Sequence, residues 1–220
     1  MGKNGNLNLI VIADVHSSRE AYEKTVQKAK ETSADAVCVC GDMTHFGTVK
    51  EAEEYLLILV KSQVPVFFVP GNLDPSDLTN AKVEGAICIH AACQNIGNYN
   101  FVGLGAMHRA FEVPEDKIMQ WLQNGSSKCT QAKRTVIVSH VPPRDTKVDV
   151  AFIGGHAGSR NFSRYIIDTK PVAVFCGHIH EGRGIDHIGD TVIVNPGSAR
   201  RGYYALVKLD GKVNVELDRF

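Results

Sequence analysis

The sequence has 220 residues, 44% of them hydrophobic and 22% charged, a composition that excludes a disordered chain and fits a soluble globular fold. Its 24 Lys and Arg balance its 24 Asp and Glu, so no broad basic field exists to draw in an extended nucleic-acid duplex. Apolar runs recur from end to end without a Pro/Ser/Gly-rich linker, so residues 1–220 are expected to form one domain with a large core.

The start, Met1-Gly2-Lys3-Asn4-Gly5-Asn6, is polar and is followed by no hydrophobic segment of signal-peptide or membrane-span length. Position six also lacks the Ser or Thr of a myristoylation signal. The expectation is a cytoplasmic protein with no membrane partner, in which the six cysteines are reduced thiols rather than bridges. Cys38, Cys40 and Cys176 lie in apolar runs and read as core residues. Cys38 and Cys40 also lack the Cys-x-x-Cys spacing of redox or zinc motifs.

Residues 9–13 form a first buried strand that ends in Asp14-Val15-His16. Ser17-Ser18-Arg19-Glu20 reads as a capping box opening a helix with Ala21, Tyr22, Thr25, Val26 and Ala29 on its apolar face. The run 36–40 is the second strand and stops at Gly41-Asp42. A further capping box, Thr48-Val49-Lys50-Glu51, opens a helix with Val49, Ala52, Leu56, Leu59 and Val60 as its stripe, leading to a third strand, 66–69, and Gly71-Asn72. These two βα crossovers predict a largely parallel sheet with its chemistry at the strand carboxyl ends.

Residues 86–90 and 99–102 predict two less regular strands, and Pro114 with Ile118, Met119 and Leu122 predicts a short helix. The strand 135–139 ends at His140-Val141-Pro142-Pro143, and a long loop then runs to about Gly158. Edge strands or this loop are candidate contacts of a homo-oligomer. Phe162, Ile166 and Ile167 mark a helix before the strand 172–176, which ends in Gly177-His178-Ile179-His180. Gly189-Asp190 joins strands 185–188 and 191–194, and Asp210-Gly211 joins 204–209 and 213–217, as hairpins. The last third is therefore expected to build a second, more antiparallel sheet packed on the first, with helices outside both.

Several strands thus end in metal-ligand residue types. Asp14 and His16, one residue apart in an extended turn, can face one ion, and His178 and His180 repeat the spacing. Asn72 adds a neutral carbonyl oxygen and His140 another imidazole, each directly after a strand. Two divalent ions held close need such donors with one oxygen shared between them, and Asp42 is expected to be that bridge. Singly, each residue also reads as turn or cap chemistry; it is the combination on independent strands that argues for metal.

In that order, Asp14-x-His16, Gly41-Asp42, Gly71-Asn72, His140 and Gly177-His178-x-His180 resemble the motif set of the calcineurin-like metallophosphoesterases. Asn195-Pro196-Gly197-Ser198 further resembles the small bacterial and archaeal phosphodiesterase branch of that family. The resemblance implies an α/β fold, a four-layer αββα sandwich of two mixed β-sheets flanked by helices, with two divalent metal ions at the strand ends. Position by position, Asp14, His16, Asp42 and His180 would hold one ion, and Asp42, Asn72, His140 and His178 the other. Manganese is the first expectation, with iron, zinc, nickel or cobalt compatible with the same ligands.

The implied activity is hydrolysis of a small phosphodiester, with Asp42 and Asn72 essential to catalysis and a metal-bound hydroxide attacking phosphorus in line. Most of the family carries a histidine after the motif asparagine to support the leaving group; here the position is Leu73, which cannot donate a proton. His45, His108 and His156, all in loop-like contexts, are candidates to replace it, each with a surface or structural alternative. Arg200 and Arg201 read either as a bidentate phosphate clamp or as solvated rim charges. A phosphomonoesterase or nuclease of the same fold is the near alternative, and a scaffold without turnover is disfavoured because all seven ligand positions are filled.

Overall fold

The computed structural model describes residues 5–106, 115–131, 133–152 and 154–220. His108 and the helix start expected at Pro114 lie outside them. Two six-stranded mixed sheets stack face to face, with a pair of helices on the outer face of each.

The first sheet has the order β12-β11-β1-β2-β3-β4, with β11 spanning Tyr203–Leu209 and β12 Val213–Arg219. Its strands β1 (Leu7–Ile12), β2 (Ala36–Cys40), β3 (Val66–Val69) and β4 (Ala86–Cys88) run parallel. Helices α1 (Arg19–Glu31) and α2 (Val49–Leu59) make the crossovers between the first three. The strands are continuous apolar runs because both faces are covered. In β2, Val37 and Val39 pack toward α1 and α2, while Ala36, Cys38 and Cys40 face the other sheet. Alternation of side chains thus sends one short run into two cores.

The second sheet has the order β5-β6-β7-β8-β10-β9. Here β6 (Tyr99–Leu104), β7 (Arg134–Ser139), β8 (Ala173–Phe175) and β10 (Thr191–Asn195) are parallel, with β5 (Cys93–Ile96) and β9 (Gly184–Ile188) antiparallel at the edges. Helices α3 (Glu115–Ser126) and α4 (Arg160–Thr169) cover its outer face through Ile118, Leu122, Phe162, Tyr165 and Ile166. Between the sheets, Phe67 and Phe101 meet with ring centroids 5.2 Å apart.

Four sequence expectations are corrected. The two late hairpins do not form one antiparallel sheet: β9–β10 extends the second sheet beside β8, whereas β11 (Tyr203–Leu209) and β12 (Val213–Arg219) return to the first, β11 pairing with β1 from Leu7↔Leu209 to Val11↔Ala205. Turn chemistry fixes a hairpin but not the sheet edge it joins. The cap of α1 is Ser18, whose Oγ accepts from the Ala21 N–H at 3.4 Å, because Ser17 instead donates to Glu51 at 2.6 Å. Cys93 and Cys129 form a disulfide, with Cα atoms 5.4 Å apart, since the edge strand β5 faces the segment just beyond α3. Ile167 is 59% exposed rather than on the buried face of α4. Cys38, Cys40 and Cys176 are buried as expected, and burial pushes all three thiols up.

No helix among the described residues is long and apolar enough to cross a membrane. Phe67 is 2% exposed at the centre of the inter-sheet layer, so Phe67→Ala should cost about 3–5 kcal/mol by leaving a cavity no neighbour can fill. Equilibrium denaturant unfolding measures this, and a loss well under 1 kcal/mol would contradict the packing described.

Candidate metal centre

The carboxyl ends of β1, β2, β3, β7 and β8 deliver their next residues to one place. Asp14, His16, Asp42 and His178 all take left-handed backbone conformations there, with φ of 53°, 47°, 48° and 69°. Such conformations cost on the order of 1–3 kcal/mol each in a non-glycine residue and persist only where surroundings hold them. The surroundings are specific. The Asp14 N–H donates to the Gly41 carbonyl at 3.1 Å and the His16 N–H to the Asp42 carbonyl at 2.9 Å, lacing the first two turns together. The Gly177 N–H donates to the His140 carbonyl at 2.9 Å, lacing the other two.

Close approach requires glycine beside the donors. A Cβ on Gly71 would strike the Asp42 carboxylate, and one on Gly41, at φ 80°, would strike the His140 ring. These are the glycines of the Gly41-Asp42 and Gly71-Asn72 pairs.

The donor atoms form two adjacent groups with Asp42 between them. In one, His16 Nε2 lies 3.1 Å from His180 Nε2, His180 Nε2 lies 3.6 Å from Asp14 Oδ1, and His16 Nδ1 lies 4.0 Å from Asp42 Oδ2. In the other, Asn72 Oδ1 is 2.8 Å from His140 Nε2 and 2.9 Å from His178 Nδ1, and His140 Nε2 is 3.7 Å from Asp42 Oδ1. The two oxygens of one carboxylate therefore face opposite groups. Ligand atoms of Asp14, His16 and His180 lie within 4.8 Å of one another, as do those of Asp14, Asp42 and His140. All seven expected ligand positions are brought together.

These residues fit divalent metal on their own chemistry. His16 Nδ1 is buried without a hydrogen-bond partner. His140 donates its Nδ1 proton to the Cys40 carbonyl at 2.9 Å, which aims Nε2 at the cluster. Without a cation, the electrostatics conflict. Burial pushes the Asp42 carboxyl up to about 7, and it lowers His16 to about 4 and His178 to about 3. At His180 the neighbouring Asp14 carboxylate raises the imidazole. At His140 burial acts downward, but Asp42 and Asp14 outweigh it and raise that ring too. Asp42, His140 and His180 are thus each shifted toward their protonated forms, the direction that a nearby cation would reverse.

Further residues hold the donors in place, and the sequence reading did not single out their roles. Asp74 is buried and accepts from the Met43, Thr44 and Gly71 N–H groups at 3.1, 2.7 and 2.9 Å, tying the Asp42 turn to the Asn72 turn. Ser198 Oγ donates to the Asp14 carbonyl at 2.8 Å. Asn195 donates to the Ile179 carbonyl at 2.8 Å. A carboxylate two residues past a strand-end asparagine is the one sequence signal that could have found Asp74; its partners follow only from the fold.

Outside the seven, His45 stands with its ring edge-on to His16 at 5.6 Å between centroids. His156 differs: its Nδ1 bonds to Asp149 Oδ1 at 2.7 Å, and among the described residues its contacts include none of the seven donors. Asp149 also accepts from the Thr146 and Gly158 N–H groups at 3.0 and 3.1 Å, so this pair organises the loop after β7. Arg200 and Arg201 are exposed on the turn after Ser198, where the Arg200 N–H approaches the Asp14 carbonyl at 3.4 Å. The Arg201 charge opposes protonation of His180.

Residues 7–212 match the family described as the calcineurin-like phosphoesterase superfamily domain. An uncharacterised protein of Methanocaldococcus jannaschii is 33% identical over 97% of both chains. The crystal structure of a dimetal phosphatase from Danio rerio shares the fold with a TM-score of 0.72 at 13% identity, over 97% of this chain and 96% of the other. A novel archaeal phosphodiesterase does so with a TM-score of 0.56 at 16% identity, over 97% and 100%.

Metal binding must expel whatever proton Asp42 holds. Below about pH 7 the metal-free carboxyl is largely protonated, so affinity should rise with pH through that value and binding should release about one proton or more near pH 6. The raised His140 and His180 add release of the same sign, whereas His16 and His178, already neutral there, add none. Calorimetric titration of Mn²⁺ into chelated protein in buffers of different ionisation enthalpy should show larger release at about pH 6 than at about pH 8. Equal release at both would contradict the raised carboxyl of Asp42.

Proposed function

The chain belongs to the calcineurin-like phosphoesterase superfamily, and on that footing we propose that it is a metal-dependent phosphodiesterase acting on a small phosphodiester. The observation that carries the reading is the pair of adjacent donor groups with Asp42 between them, one carboxylate oxygen toward His16 and the other toward His140. Asp14, His16, Asp42 and His180 would hold one divalent ion and Asp42, Asn72, His140 and His178 a second, with manganese the first choice. When bound, such ions supply neutralisation of phosphate oxygens and an acidified water as nucleophile.

The chain's own residues supply the rest. Arg200 and Arg201, on the turn braced against Asp14, would engage the phosphate. The leaving alkoxide needs a proton, and Leu73 has none to give. We assign that role to His45: its backbone N–H donates to Ser17 Oγ at 3.1 Å, Ser17 is anchored by Glu51, and the ring is exposed and edge-on to His16. His156 is bonded to Asp149 and is assigned to loop organisation instead.

Chelated protein reloaded with single metals should hydrolyse an aryl phosphodiester faster than the matching monoester, and Asp42→Ala or Asn72→Ala should remove most of that turnover. Metal-stimulated turnover that survives both changes would refute the reading. His45→Gln should slow esters with poor alkyl leaving groups by about 10²–10⁴-fold while sparing an activated aryl ester. Equal loss on both would show that His45 does not protonate the leaving group.

A further inference from the structure

Beyond His45, the loop that follows Asp42 carries an aromatic ring into solvent. Phe46 is 66% exposed and sits at φ 58°, a left-handed conformation unusual for so large a side chain. Its ring meets His45 at 5.1 Å between centroids, and His45 meets His16 at 5.6 Å. A row of rings therefore leads outward from the metal ligands. The Phe46 N–H donates to the Leu73 carbonyl at 3.1 Å, fixing the loop to the residue after Asn72. Thr44 Oγ1 accepts from the Gly47 N–H at 3.3 Å and closes the turn from the other side. Phe46, Gly47, Asn72, Leu73, Asp74 and Pro75 line a cleft that opens at the metal ligand Asn72.

We infer that Phe46 and Leu73 form a subsite for a planar aromatic ring carried by the substrate, making the substrate class a nucleoside or similar aryl phosphodiester. The inference rests on the phosphoester reading above and names which ester that site takes. The cleft is continuous with Asn72, so a phosphate held at the donor cluster would have one ester group in reach of it. Phe46 and Leu73 give the wall its apolar part, with Asn72 and Asp74 polar beside it, and its backbone is pinned at both Phe46 and Gly47, which suits a flat ring with polar edges better than a flexible alkyl chain. Leu73 in place of an imidazole removes a donor from this wall and adds apolar surface. Stacking of a base on an aromatic side chain tolerates any base, so the subsite selects for a ring without specifying which.

The test uses two product-like phosphates on manganese-loaded protein: adenosine 5′-monophosphate, which carries a ring, and ribose 5-phosphate, which lacks one. Calorimetry should show the nucleotide binding about tenfold more tightly. Phe46→Ala should level the two by weakening the nucleotide, with ribose 5-phosphate affinity reporting that the fold and phosphate site persist. Phe46→Trp should restore the preference. Saturation-transfer NMR should place the base protons against an aromatic side chain in the parent and not in Phe46→Ala. Equal affinities in the parent, or a preference that survives Phe46→Ala, would overturn the subsite while leaving the phosphoester reading standing. Binding of neither phosphate would overturn both.

Discussion

One carboxylate has to sit in a low-dielectric pocket with an oxygen toward each of two imidazole groups, and the rest of the architecture accommodates Asp42. A buried charge of this kind is tolerated only when paired or neutralised. The protein gives Asp42 one direct backbone donor, the Leu73 N–H at 2.8 Å, and leaves the remaining compensation to the histidines. Left-handed turns at Asp14, His16, Asp42 and His178 are the backbone cost of aiming donors inward from parallel strands. The cross-turn hydrogen bonds and the Asp74 carboxylate are what keep those turns from relaxing.

The same demand shapes the layers. Donors must arrive from both sheets, since Asp14, Asp42 and Asn72 follow strands of the first and His140 and His178 follow strands of the second. The inter-sheet core, with Phe67 against Phe101, therefore sets the spacing between two halves of one site. Packing and site geometry are the same problem here, and a repacked interior would change the distance between imidazoles.

Much of this was legible in the residues because strands covered on both faces are written as unbroken apolar runs, and because the residue ending each run is chemically conspicuous. The runs before Asp14, Asp42, Asn72, His140 and His178 are all strands of the structure. The edge strand β5, Cys-Gln-Asn-Ile, is short, mostly half-buried and without a clear alternation, and was not readable. Hairpin turns at Gly189-Asp190 and Asp210-Gly211 were local and clear, but the choice of sheet is made by tertiary docking. Ser17, Glu51, Asp74 and the Cys93–Cys129 pair escaped for the same reason, since each acquires its partner only when distant segments meet. His45 and His156 looked alike as loop histidines; one stands beside His16 and the other is held by Asp149.

The pairing of β1 with β11 has a consequence for how the protein comes into being. Leu7 lies opposite Leu209, and Ala13 bridges to Ser198. The strand that presents Asp14 is thus flanked on one side by a segment far downstream in the chain. Contacts between sequence-distant residues close slowly because chain entropy opposes them. A ribosome-bound chain can lay down the α1–β2–α2–β3 half early, yet the strand bearing Asp14 keeps an open edge until the β11–β12 hairpin emerges. The site is therefore completed only once that hairpin has docked, and a chain lacking it would present an unpaired apolar strand to its neighbours.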